Sequence, residues 1–192
     1  MSPLFQAPAI LANPHTGWQR VEKHSEEPAD LMVRYVAPLA AIPAVFSFVG
    51  ACAIGVIVPG GVTARTPLFE GLTGAAFGYL ENLLLVLVLA LIANLAAPLF
   101  GGRRNYGNAL KLIAFSYTPV WLTGIFLLLP GLRFLMLSGF YGAYVLVAGL
   151  PFLMRTRGRR TAGFAALIVV FACALTFIAA AAQTALFGTL NI

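Results

Sequence analysis

The sequence predicts an all-α polytopic membrane protein: a bundle of five transmembrane helices, N-terminus cytoplasmic and C-terminus external. Three observations carry this. Of 192 residues, 60% are apolar and only 9% charged, against about 45–50% and about 25% in an average soluble domain, and mean hydropathy is +0.92. Lys, Arg, Asp and Glu are absent from five long runs, residues 35–64, 82–102, 112–132, 134–154 and 161–192, and about 20 apolar residues rising about 1.5 Å each cross a hydrocarbon core about 30 Å thick. With the N-terminus inside, the cytoplasmic side holds Arg20, Lys23, Arg34, Arg103, Arg104, Lys111, Arg155, Arg157, Arg159 and Arg160, ten of the 12 Lys and Arg. The outer side keeps Arg65 and Arg133, an imbalance that sets orientation.

Residues 1–33 read as an N-terminal cytoplasmic or interfacial segment. Its uncharged stretch, residues 1–19, fails as a span because Pro3, Pro8, Asn13, Pro14 and His15 interrupt it, and unpaired backbone is costly in lipid. It fails as a signal peptide because no Lys or Arg precedes it and no uninterrupted apolar region follows. Around Trp18, Arg20 and Lys23, with Glu22, Glu26, Glu27 and Asp30 close by, two readings stay open: a short helix with Trp18 at headgroup depth, or a solvated tail.

Residues 34–190 form the five-helix domain. Span one covers 34–58 and stops at Pro59-Gly60-Gly61. Span two covers 72–100 and ends at Phe100-Gly101-Gly102, before the short basic loop around Arg103 and Arg104. Span three covers 108–129. Pro130-Gly131 then makes a tight turn, so spans three and four (132–153) form an antiparallel hairpin. A second basic loop, Arg155-Thr156-Arg157-Gly158-Arg159-Arg160, leads to the Ala-rich span five, 161–187. Residues 83–92 show no alternation, which excludes barrel strands. No inverted repeat of the transporter kind is visible.

Several chemistries are excluded. His15 and His24 both lie in the N-terminal segment with no carboxylate or Cys at ligand spacing, so no metal, cofactor or membrane-embedded histidine relay is expected. There is no G-x-S-x-G, no H-E-x-x-H and no P-loop, and the protein is not expected to be an enzyme. Cys52 and Cys173 sit at unequal depths, which disfavours a bridge. Glu81 falls near the outer interface, where Gln183 is a partner at similar depth. Small residues at four-residue spacing, Ser138/Gly142 and Ala162/Ala166, suit close helix packing within the bundle. The net charge of +6 belongs to inner-face anchoring on anionic lipid and makes no case for nucleic acid.

Two groups of residues stand out. Pro119 lies inside span three after Ser116, Tyr117 and Thr118, and removes the backbone bond to the Phe115 carbonyl. Asn94 and Thr118 are each about seven residues from the inner ends of their helices, so about 10 Å deep. Asn94, Ser116, Tyr117, Thr118 and Pro119 are therefore a candidate polar kink site, read either as a hydrogen-bonded packing device or as a ligand site. The second group is basic: Arg103, Arg104, Lys111, Arg155, Arg157, Arg159 and Arg160 are candidate lipid headgroup contacts.

Several strings are familiar: Asn13-Pro14 with Trp18, Tyr35-Val36-Ala37-Pro38-Leu39, Leu95-Ala96-Ala97-Pro98-Leu99-Phe100-Gly101-Gly102, Ser116-Tyr117-Thr118-Pro119-Val120-Trp121, and Tyr141-Gly142-Ala143-Tyr144 through Gly149-Leu150-Pro151. Over residues 10–185 the chain resembles the prokaryotic branch of the Yip (Ypt-interacting protein) domain family. The resemblance implies five spans and a cytoplasmic N-terminus, as the charge count does. It also implies, for eukaryotic relatives, early secretory pathway membranes, small GTPase partners and effects on membrane shape. This chain lacks their long N-terminal region and their Asp-Leu-Tyr-Gly-Pro element, so GTPase binding is not carried over to it.

The expected function is a non-enzymatic membrane organiser or scaffold in the cell (inner) membrane, with membrane lipids, other membrane proteins or a second copy as partners. The alternative is a small permease or transporter subunit using the polar site near Asn94 and the Pro119 kink.

Overall fold

The computed structural model describes residues 7–23, 27–57 and 63–188. His24 and the Pro59-Gly60-Gly61 breaker lie outside them. Among the described residues five helices are long and apolar enough to cross a membrane: Pro28–Ile54, Leu68–Phe100, Tyr106–Leu128, Phe134–Leu153 and Arg159–Ala185. They are called spans one to five.

Prolines shape their irregularities. Pro38 cannot donate to the Arg34 carbonyl, and span one widens into a π turn over Met32–Val36 just before it. It widens again over Gly50–Ile54 and stops at Gly55, whose φ is 92°. The helix begins earlier than the charge-free run because Asp30 and Arg34 pair at 3.3 Å one turn apart on its first turns. Span two tightens to a 3₁₀ turn over Ala97–Phe100, where Pro98 removes a donor, and closes on Gly101 at φ 73°. Span three starts at Asn105, whose side-chain oxygen accepts the Asn108 N–H at 3.0 Å. The chain enters span four as a 3₁₀ helix over Pro130–Phe140, which includes the first turns of the span, and becomes α-helical only over Tyr141–Leu153. A two-residue antiparallel ladder, Val56–Ile57 with Thr63–Ala64, joins spans one and two.

Span three is the centre of the bundle. Its residues from Ala109 to Ser116 are all buried, with Thr118, Pro119 and Trp121. Spans two and four cover it, while Leu84, Leu91, Leu95, Phe177 and Ile178 point outward as large exposed apolar side chains, the surface a lipid-facing bundle needs. Gly142 lets span four close on span three: a Cβ there would collide with the Ser116 carbonyl oxygen, and one at Gly139 would lie 3.2 Å from Thr123 Oγ1. The packing positions are thus Gly139 and Gly142; Ser138 is exposed, so the Ser138/Gly142 pair meets the bundle through its glycine alone. Ala162 and Ala166 face outward.

The N-terminal residues are helical around Trp18, in line with one of the two sequence readings, but Trp18 itself is placed differently. Ala7–Ala12 and Pro14–Lys23 form two short helices folded as a hairpin. Gly17 sits at their crossing, where a Cβ would be 2.6 Å from Ile10 Cα. Trp18 is fully buried in the bundle rather than at headgroup depth. Its indole N–H donates to the Val145 carbonyl at 3.1 Å, and its ring meets Phe115 edge-on at 6.0 Å. It fits because Gly149 leaves a notch; a Cβ there would lie 2.6 Å from Trp18 Cε2. Deeper still, the Tyr141 hydroxyl donates to the Leu11 carbonyl at 2.8 Å. Twelve helical steps separate Tyr141 from Leu153, so the hairpin reaches about 18 Å into the bundle from its basic end.

Candidate functional site

The kink is a hydrogen-bonded layer, with different partners from those expected. Thr118 Oγ1 donates to the Ala114 carbonyl at 3.3 Å, so the Tyr35 hydroxyl, 2.5 Å from Thr118 Oγ1, is the donor in that pair. The Tyr35 ring rests on Phe115 with centroids 4.6 Å apart. One turn further on, the Trp121 indole N–H donates to Asn82 Oδ1 at 3.2 Å, and the Asn82 amide donates to the Gly78 carbonyl at 2.9 Å. Tyr117 packs against Trp121 at 6.0 Å.

The Asn82–Trp121 pair fixes the antiparallel register of spans two and three. Twelve residues from Asn82 to Asn94 correspond to twelve from Trp121 back to Ala109. Asn94 therefore stands about nine residues, or about 13 Å, from the level of Thr118. The structure does not bring it to the kink. Asn94 Oδ1 and Ser116 Oγ are both buried without a hydrogen-bond partner. Equal residue counts from the inner ends misplace Asn94 for two reasons. Thr118 lies twelve residues from the start of span three at Tyr106 while Asn94 lies six from the end of span two at Phe100, and span two runs about three residues past the start of span three. Tyr35 and Asn82 are the cross-helix partners that sequence reasoning missed. Trp121 was the available signal, since a buried indole N–H needs an acceptor and span two carries two asparagines.

The basic residues separate more sharply. Arg103, Arg155, Arg157 and Arg160 line one cavity of about 510 Å³, together with Phe100 and Gly101. Two hydrogen bonds tie the flanking segments together: the Arg103 backbone N–H donates to the Met154 carbonyl at 2.9 Å, and the Asn108 side-chain amide donates to the Leu153 carbonyl at 3.1 Å. Gly101, Arg155 and Gly158 all have positive φ. Arg155 is the non-glycine among them, at 59°, a strained conformation held by its surroundings. Its guanidinium pairs with Glu22 of the N-terminal hairpin at 2.7 Å. Phe100 stacks on Phe164 at 5.0 Å and forms the apolar wall. Arg104 and Arg159 are exposed and do not line the cavity. Lys111 is buried at 5% exposure in span three and is not part of it.

Four guanidinium groups thus converge with one carboxylate against them. Planar N–H forks of this kind bind phosphate oxygens in pairs, and the cavity lies at the basic end of the bundle, where headgroups of an anionic leaflet would stand. Near the opposite end, Gln183 Nε2 donates to Glu81 Oε2 at 3.2 Å, the pairing expected from their depth. Cys52 and Cys173 are free thiols. Among the described residues no group of three or more His, Cys, Asp or Glu is placed to hold a metal.

The family profile described as the Yip1 domain matches residues 9–180. Inner membrane protein YohC of Escherichia coli strain K12 is 25% identical over 146 residues, covering 74% of this chain and 75% of that protein. The YohC of Escherichia coli O6:H1, strain CFT073, matches with the same identity and coverage. No solved structure matches the chain.

Proposed function

Since the chain belongs to the Yip1 domain family and carries five membrane-length helices, we propose that it is a non-enzymatic organiser of the inner membrane that holds acidic lipid at its basic, cytoplasmic end. The inner-membrane location follows the name of its Escherichia coli relative. The observation that carries the function is the arginine cavity: Arg103, Arg155, Arg157 and Arg160 around about 510 Å³, with Phe100 as a wall. A phosphodiester headgroup matches both features, its phosphate on the guanidinium groups and its glycerol end on the ring.

Near an anionic surface each basic residue contributes about 1 kcal/mol, so three together contribute about 3 kcal/mol, or roughly a hundredfold in affinity. The test replaces Arg103, Arg157 and Arg160 by Gln and spares Arg155, which shapes the loop. Phosphatidylglycerol and cardiolipin retained through purification are counted by native mass spectrometry. The triple variant should retain far less of both. Unchanged lipid content would mean that the loops are merely solvated.

A second reading, a small permease or transporter subunit, draws on the buried, unpartnered Asn94 Oδ1 and Ser116 Oγ, since such groups are costly unless something reaches them. A water path reaching either one would favour it over the organiser.

A further inference from the structure

The arginine cavity already has an anion of the protein's own beside it. Of the four arginines that line it, Arg155 is paired: its Nη2 lies 2.7 Å from Glu22 Oε1. Among the described residues Arg103, Arg157 and Arg160 form no ion pair. Glu22 belongs to another part of the chain, the last turn of the helix Pro14–Lys23. Carboxylate and phosphate oxygens take the same N–H donors of a guanidinium, so Glu22 holds a donor that a phosphate on Arg155 would use.

The two sides of this pair are fixed unequally. The Arg155 loop is tied down at both ends. The Arg103 N–H donates to the Met154 carbonyl at 2.9 Å and the Thr161 N–H to the Gly158 carbonyl at 3.1 Å, and the Thr161 hydroxyl donates to that of Thr156 at 3.0 Å, both residues being buried. The helix that carries Glu22 is anchored by its other face, through the buried Trp18 and Val21, and the ion pair ties its last turn to the loop. The paired side chains are 66% and 31% exposed, so solvent and headgroups can reach them, and a pair so solvated is weak. A phosphate in the cavity has the stronger claim on Arg155, because it also meets Arg103, Arg157 and Arg160, which Glu22 does not pair.

We propose that Glu22 is a tethered carboxylate that competes with phosphate for Arg155, so that an anion entering the cavity releases the last turn of the N-terminal helix. The proposal rests on the reading of the arginine cavity as a phosphate site and adds its regulation. Coupling is reciprocal: whatever Glu22 subtracts from phosphate affinity, phosphate subtracts from the hold on residues 19–23. Trp18 stays docked, since its bond to Val145 does not involve the loop.

The test uses the full chain in phosphatidylcholine nanodiscs and two anions: phosphatidylglycerol mixed into the bilayer, counted by native mass spectrometry, and pyrophosphate titrated from solution by calorimetry. Glu22→Gln keeps the shape and removes the charge. It should tighten binding of the anion that occupies the cavity about two- to fivefold, the scale of a solvated ion pair. In the unmodified protein that anion should speed amide exchange of residues 19–23 by a similar factor, and in Glu22→Gln exchange should be fast already and respond no further. Replacing Arg103, Arg157 and Arg160 by Gln should abolish both responses. Unchanged or weaker binding in Glu22→Gln would overturn the proposal, the weaker case making Glu22 a group that positions Arg155 for the ligand. Exchange at residues 19–23 that ignores a bound anion would overturn it as well. Binding of pyrophosphate without phosphatidylglycerol would sink the lipid reading and leave the competition standing, whereas binding of neither anion would remove both.

Discussion

Gly149→Ala should expel Trp18 from the bundle. The added Cβ would stand 2.6 Å from Trp18 Cε2 and 2.6 Å from Leu112 Cδ1. Neither neighbour can yield easily: both side chains are fully buried, and the indole is anchored by its bond to Val145 at 3.1 Å. Overpacking of this kind costs about 1–3 kcal/mol. The cost falls on the hairpin of residues 7–23 rather than on the whole fold, because the hairpin lies at the edge of the bundle while spans three and four pack on each other without it. Hydrogen exchange of the 7–23 amides should therefore accelerate about five- to 150-fold, with spans two and three unchanged. Trp18→Ala empties the notch from the other side. Added to Trp18→Ala, Gly149→Ala should have little further effect, giving a coupling of about 0.5–3 kcal/mol. Additive effects, or unchanged exchange in Gly149→Ala, would refute the docking of Trp18 on Gly149.

Other outcomes follow from the hydrogen-bonded layers. Tyr35→Phe removes the donor to Thr118 and should cost about 0.6 kcal/mol, at most about 1.7, the range for bonds between membrane helices; thermal unfolding in detergent measures it. Asn94→Leu should be neutral or stabilising by the same measurement, because Asn94 Oδ1 has no partner to lose; a loss beyond about 1 kcal/mol would reveal a contact in the membrane that this register does not provide. Glu22→Gln should change stability by less than about 1 kcal/mol, since the Arg155 side chain is 66% exposed and solvated pairs contribute little. Reporter fusions at Asn105 and Gly158 should read cytoplasmic, and those at Ala64 and Ile192 external; a cytoplasmic C-terminus would contradict the orientation drawn from the basic loops.

The spans were legible because lipid imposes one rule on every residue in them: charge is excluded, and its absence marks each helix. Their ends were less so. Span one begins at Pro28, since a helix continues into the interface as long as its charged residues pair or reach water. The burial of Trp18 was not legible, because it depends on the missing side chain of Gly149, 131 residues away in the chain. Its aromatic character with neighbouring Arg20 and Lys23 fits an interface equally well. The kink was half legible. Pro119 marks the place where a backbone donor is missing, but which side chain faces it depends on the register of two helices, set here by Asn82 and Trp121. The arginine cavity shows the same division. Charge density marked both loops, yet it does not tell which four arginines line the cavity and that Arg104 and Arg159 stay outside it.

The most direct measurement is a density map of the full chain in a phosphatidylglycerol nanodisc. A lipid-holding cavity should show one headgroup phosphate within hydrogen-bond reach of Arg103, Arg157 and Arg160, with its glycerol end against Phe100. A cavity filled only by water, together with a continuous aqueous path through the bundle past Ser116, would contradict the organiser and favour a permease.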